Sequence, residues 1–158
     1  MSGTTNFTNV TADGTVVATV MSAAGYSFPK VISQTVGYSV FTNGTTVGTY
    51  AMTGTVPAGA TFHRSAVTAI GQGFSGTPIV SANLTIGDGT DADRYCGTAG
   101  IDVFTTAAGG GDAGTPSGVQ YHTAAKQPVL TITPGTAVAA VWGSVTAGTV
   151  TVKLYYFD

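Results

Sequence analysis

No glutamate occurs anywhere in this chain of 158 residues, and that absence limits its fold more than any motif does. All seven acids are aspartates, and with only five lysines and arginines the charged fraction is 8%. Surface helices need Glu and Lys to solvate their outer faces, so a chain this poor in both is not expected to build them. Threonine, valine, alanine and glycine take their place. β-Branched residues favour the pleated, half-buried surface of a strand, and 23 glycines supply turns and bulges. The expected class is all-β. Its surface has to be covered by Thr, Ser, Asn and Gly, a coat with little electrostatic repulsion that suits close packing against neighbours.

Short runs of Val, Ile, Thr and aromatics alternate with Gly, Pro, Asn and Asp clusters. Strands are expected at 16–20, 31–41, 45–53, 60–70, 79–86, 101–105, 119–122, 129–133, 137–145 and 149–157. The last is the clearest, with Val150, Val152, Leu154 and Tyr156 on one face and Thr151, Lys153 and Tyr155 on the other. Asn43-Gly44 signals a hairpin, and the stretches VPAGA (56–60) and TPGTA (133–137) read as turns. A chain of this length fits one domain, able to bury about 68–70% of its unfolded surface. Eight to ten strands in one domain imply an antiparallel sandwich, jelly-roll-like, occupying residues 26–158. Residues 1–25, rich in Thr, Asn and Gly, read as an extended N-terminal arm or a first edge strand. The small-residue stretch 105–118 reads as a long loop, and loops of that length in compact domains are functional or mobile.

Several function classes fall away. A net charge of −2 with five scattered basic residues leaves no footprint for nucleic acid. Cys96 stands alone, so neither an internal disulfide nor a cysteine metal cluster is expected. No run approaches the roughly 20 apolar residues of a membrane helix. The apolar run 16–25 lacks a basic flank and is preceded by Asp13-Gly14, so it reads as a strand rather than a leader.

The most chemically loaded stretch is TIGDGTDADRYC (85–96), which sets Asp88, Asp91 and Asp93 beside Arg94. A helix-loop-helix calcium site needs alternating oxygen ligands and a closing bidentate Glu, and this spacing and composition supply neither. A looser calcium site at Asp88, Asp91 and Asp93, completed by loop carbonyls, stays open. The preferred reading is a strand end followed by a turn. In it Asp88 and Asp91 cap backbone amides, glycines take positive φ, and Arg94 pairs with a carboxylate at an exposed position. Paired-carboxylate catalysis is not suggested, because Asp88 and Asp93 are too close in sequence to flank a cleft, and neither Asp102 nor Asp112 is singled out as a distant partner. GYSV (37–40) and GFSG (73–76) both miss the nucleophile elbow Gly-x-Ser-x-Gly. His63 and His122 read as surface or interface histidines. Among the aromatics, Tyr155 and Phe157 are expected to face outward, as subunit contacts rather than sugar platforms. No enzyme activity and no cofactor are expected.

The segment 55–96 resembles one that recurs in small virion proteins of tailed bacteriophages. The shared pattern is a Pro-Ala-Gly turn (Pro57-Ala58-Gly59), a strand, a Phe-containing bend (Phe74), then Ile86-Gly87-Asp88, Asp91-Ala92-Asp93 and Tyr95. The opening 4–18, with Thr5-Asn6-Phe7-Thr8-Asn9, is similar to the amino-terminal lead of phage head and fibre proteins. The resemblance implies a jelly-roll or sandwich module, usually trimeric, that decorates a capsid (a cement protein) or forms a head fibre. It implies the major capsid protein and other copies of the chain as partners, with no nucleic acid and no membrane. It places the protein on the outer capsid surface after synthesis in the host cytoplasm. Interface candidates are Phe7, Asp88, Asp91, Asp93, Arg94, Tyr155 and Phe157. The alternative is a tail- or head-fibre module that binds a receptor or glycan through the loops at 88–94 and 105–118.

Overall fold

The computed structural model describes residues 28–41, 46–69, 73–77, 79–104, 111–112, 116, 120–135 and 144–158. The expected arm with Phe7, the strand at 16–20, the Asn43-Gly44 turn, Trp142 and most of the stretch 105–118 lie outside the described residues. Among the described residues ten strands follow one another: β1 (Lys30–Gly37), β2 (Gly48–Ala51), β3 (Thr61–Ala69), β4 (Ser75–Gly76), β5 (Ala82–Gly87), β6 (Ile101–Asp102), β7 (Gly111–Asp112), β8 (Val129–Pro134), β9 (Val145–Ala147) and β10 (Thr149–Phe157). The one helical element among the described residues is a 3-10 turn at Tyr38–Phe41. The all-β expectation therefore holds. The strand expected at 31–41 ends early because its last four residues curl into that turn. Within the stretch expected to be loop, Gly111–Asp112 instead pairs with β3 as β7.

Every pairing is antiparallel, and the order is β1-β10-β3-β7 in one sheet and β2-β8-β5-β6 in the other. The pairs β1/β10, β2/β8, β3/β7 and β5/β6 nest inside one another, as in one long hairpin folded double. Wrapping that hairpin brings β10 against β3 and β8 against β5. This is the jelly-roll wrap, with β4 and β9 added as a small separate ribbon.

Alternation along the strands builds the core between the sheets. Val150, Val152, Leu154 and Tyr156 of β10 point inward, as their spacing requires, to meet Leu84, Ile86, Leu130 and Ile132 of the facing sheet. The register slips between Tyr155 and Tyr156, where β3 carries an extra residue. That bulge turns both His63 and Arg64 out to solvent while Phe62 and Ser65 stay buried.

The wrap also sorts the connections. Residues 52–60, 88–100 and 120–128 lie at one end of the sandwich. The turn at Tyr38–Phe41 and the β4/β9 ribbon occupy the other.

Candidate functional site

At the first end, the loop after β5 folds on its own aspartates. Gly89 takes φ 81°, and the backbone reverses so that Asp88 N donates to Asp91 O at 3.1 Å. Asp88 Oδ1 accepts from Thr90 N (3.1 Å), Thr90 Oγ1 (2.7 Å) and Asp91 N (3.1 Å). Asp91 Oδ1 accepts from Asp93 N at 3.4 Å. The Asx-turn reading of this stretch is what the structure shows. Gly87 is required here, because a Cβ on it would overlap the Asp91 carbonyl.

Exposure is where the sequence reading needs correction. The Asp88 side chain has 0% relative exposure, and Arg94 only 17%. Asp88 Oδ2 lies 2.8 Å from Arg94 Nε and 3.1 Å from Lys126 Nζ. Neither contact has the alignment of a hydrogen bond, so both act as ion pairs. One oxygen thus serves the turn while the other faces two cations. Burial by itself would raise the Asp88 pKa, but hydrogen bonds from the Thr90 hydroxyl and the Thr90 and Asp91 amides, together with the Lys126 ammonium beside it, outweigh that, and the carboxyl is held well below its ordinary range. Lys126 carried no signal in the sequence. It reaches Asp88 because Val56 and Lys126 form a bridge between two connections, exchanging backbone bonds of 2.8 Å each.

Behind this ion cluster sits a second layer. Tyr95 is fully buried, its ring 4.9 Å from Phe62 and 5.5 Å from the His122 imidazole. Ser65 Oγ donates to the Tyr95 carbonyl, and Tyr95 N donates to Ile86 O at 2.9 Å. Ile86 N in turn donates to Cys96 Sγ at 3.1 Å. Burial pushes the Tyr95 hydroxyl above its usual range and the Cys96 thiol up to about 11. His122, expected at a surface, is 3% exposed. Four buried side-chain polar atoms among the described residues lack an aligned hydrogen-bond partner: Asp88 Oδ2, Arg94 Nε, Tyr95 Oη and His122 Nε2. All four belong to this one cluster.

Among the described residues no three of His, Cys and Asp gather as a metal-ligand group. Arg94 pairs with Asp88 and, at 3.9 Å, with Asp91, and Asp88 has both oxygens occupied. Tyr155 and Phe157 are half-buried on the outer face of the β1-β10-β3-β7 sheet. The Arg64 guanidinium lies 4.7 Å from the Tyr155 ring centroid, and His63 packs 5.5 Å from Phe157. Tyr121, 54% exposed, bridges to Thr61 at the same end. The structure therefore separates the interface candidates into two places: Asp88, Asp91, Asp93 and Arg94 on the end loop, and Tyr155 and Phe157 on the sheet face.

No family model matches the sequence, and no curated protein matches it. Among solved structures, the fold is shared with a chain of the cyanophage Pam1 capsid asymmetric unit. That likeness has a TM-score of 0.59 at 17% identity and covers 83% of this chain and 85% of the other. A chain in the capsid of Ralstonia phage GP4 has a TM-score of 0.48 at 15% identity, over 83% and 84% of the two chains. Among the described residues no helix is long and apolar enough to cross a membrane.

Proposed function

We propose that this chain is a non-enzymatic structural protein of a bacteriophage virion, and that it decorates the outer capsid surface as a cement protein bridging capsomers. The observation that carries the reading is the fold shared with a chain of the Pam1 capsid asymmetric unit over 83% of this sequence. The chemistry is compatible with it. The loaded loop spends its carboxylates on its own backbone and on two cations, which makes it a rigid surface turn rather than a reaction centre. A surface of Thr, Ser, Asn and Gly can approach a lattice closely without charge repulsion. Many weak contacts then add up through the repeated geometry of the capsid.

In this reading the partners are the major capsid protein and two further copies of the chain. The arm (1–25, with Phe7) lies along the capsid or a neighbouring subunit. Asp91, Asp93 and Arg94 on the end loop and Tyr155 and Phe157 on the sheet face supply contacts. Asp88 holds the loop in shape without touching a partner itself.

Co-sedimentation with purified phage heads tests the reading, with the full chain pelleting and a chain lacking residues 1–25 remaining folded in the supernatant. Head binding that survives the truncation removes the arm from the mechanism. Failure of the full chain to bind heads, together with binding on a glycan array, would replace the cement role by a fibre receptor-binding role. Abolition of that glycan binding by EDTA would point to calcium on the loop.

A further inference from the structure

His122 sits where three connections of the sandwich meet, and its backbone does much of the joining. Gly59 N donates to His122 O at 2.7 Å, and His122 N donates to Ala60 O at 2.9 Å. Phe62 N donates to Gln120 O at 2.7 Å, and the Val56–Lys126 bridge closes the other side. The imidazole itself is 3% exposed, meets the Tyr95 ring at 60°, and has an Nε2 with no hydrogen-bond partner.

We propose that His122 is the pin of an acid-operated latch. Uncharged, it holds residues 120–126 against the loop 88–96 and the turn 56–60, and taking up a proton frees them. An imidazolium carries two N–H donors, and both need acceptors. The nearby carboxylate has none to spare, because Asp88 Oδ1 already takes three donors and Oδ2 faces Arg94 and Lys126. The charge is unfavourable too. Against the carboxylates of Asp88 and Asp91 stand the two cations Arg94 and Lys126, a net charge of zero, and a protonated His122 makes it +1. The titratable and charged groups that act on the imidazole are Asp88, Arg94 and Tyr95 from the loop and Lys126 from its own segment.

Burial first, then Arg94 and Lys126, lower the His122 pKa, and the opposing pull of Asp88 does not restore it. With the folded value below the ordinary 6.5, the unfolded or opened form binds the proton better. The latch is therefore fully shut above pH 6.5 and weakens as the pH falls below it. Asp88 stays ionised throughout that window. Opening uncovers the packed rings of Phe62 and Tyr95 at one end only.

Hydrogen exchange of the full chain, corrected for the intrinsic pH dependence of amide chemistry, reads the latch directly. Between pH 7.5 and 5.5 the amides of Val56, Gly59, Phe62, His122 and Lys126 are expected to open more often, with about tenfold as the ceiling that an opened-state pKa of 6.5 sets one pH unit below it. The amides pairing β1 with β10 should not change. In His122→Phe the pH response disappears, and in the control His63→Gln it persists. A flat response in the native chain, or one retained in His122→Phe, overturns the proposal. Should His122→Phe not fold, NMR titration of the native imidazole decides the matter: a midpoint below 6.5, reached together with the opening, supports the latch, and a midpoint at or above 6.5 refutes it.

Discussion

At one end of the sandwich a single carboxylate collects three donors from its own turn and two cations from beside and across it. At the other end, Phe41 meets Phe74 and Tyr50 edge to face, with ring centroids 6.0 and 6.3 Å apart. Both closures lie over the same apolar core, and both are joined by backbone bonds: Tyr38 N to Gly148 O (3.1 Å) and Phe74 N to Val103 O (2.9 Å) at the aromatic end, Val56 and Lys126 at the polar one. Their tolerance differs. Aromatic contact is spread over many atoms and adjusts to a new shape. The Asp88 cluster is directional and charged, and losing Asp88 leaves the largely buried Arg94 without its anion.

The largest effect expected from breaking this contrast is at Asp88. Asp88→Ala should cost about 3–5 kcal/mol in urea unfolding, since it leaves Arg94 and Lys126 without their anion and the turn amides without an acceptor. Phe74→Ala should cost a similar amount, about 3–5 kcal/mol, through the cavity it opens. The milder pair separates the two ends. Asp88→Asn keeps the shape but not the charge and should still cost about 2 kcal/mol, whereas Phe74→Leu should cost about 1.5 kcal/mol or less. Equal tolerance at both ends would mean that charge is not what closes the polar end.

A second difference concerns Cys96, sealed behind the polar closure. Its thiol pKa is raised from 9.0 to about 11, so the folded state keeps the proton that the unfolded chain releases. Stability tied to this group is complete below pH 9.0 and is lost as the pH rises toward 11. Labelling of the native thiol at pH 8.5 should run about a hundredfold slower than in urea, the thiolate fraction falling by two pKa units. Rapid native labelling would mean that this end opens freely.

Smaller effects test the turns. Gly148 at the aromatic end has φ 119° and no room for a Cβ against Phe74, whereas Gly59 at the polar end has φ 86° and open space around it. Thermal unfolding should show Gly148→Ala as the worse substitution, with Gly59→Ala costing only the backbone strain of about 1–2 kcal/mol. Smallest of all, Arg64→Ala, on the outer sheet face away from both closures, should cost about 0.5 kcal/mol through the lost contact with Tyr155.

Much of this was legible in the residues because it is local. A run such as Val150, Val152, Leu154 and Tyr156 declares a strand and its buried face, since the period of two holds whatever the strand pairs with. Asp88 followed by Gly89 and Thr90 declares a turn, since a short carboxylate bonds the amides two and three residues on. The missing glutamate removes surface helices without reference to any partner. Hence the strand class, most strand positions and the turn at 88–91 came from the sequence itself.

Burial and long-range partners were decided by the wrap. Nothing near Asp88 in the chain says that its carboxylate is enclosed, because the group that completes it, Lys126, belongs to a connection between two later strands. His122 looked like a surface residue for the same reason: its cover comes from Tyr95 and the backbone of Gly59 and Ala60. β7 was hidden because Gly111–Asp112 has no strand pattern and pairs with a strand distant in the chain, β3. Short-range chemistry follows from neighbours along the chain. The dielectric around a side chain follows from whichever segments the folded hairpin lays over it, and that is set only when the two sheets close.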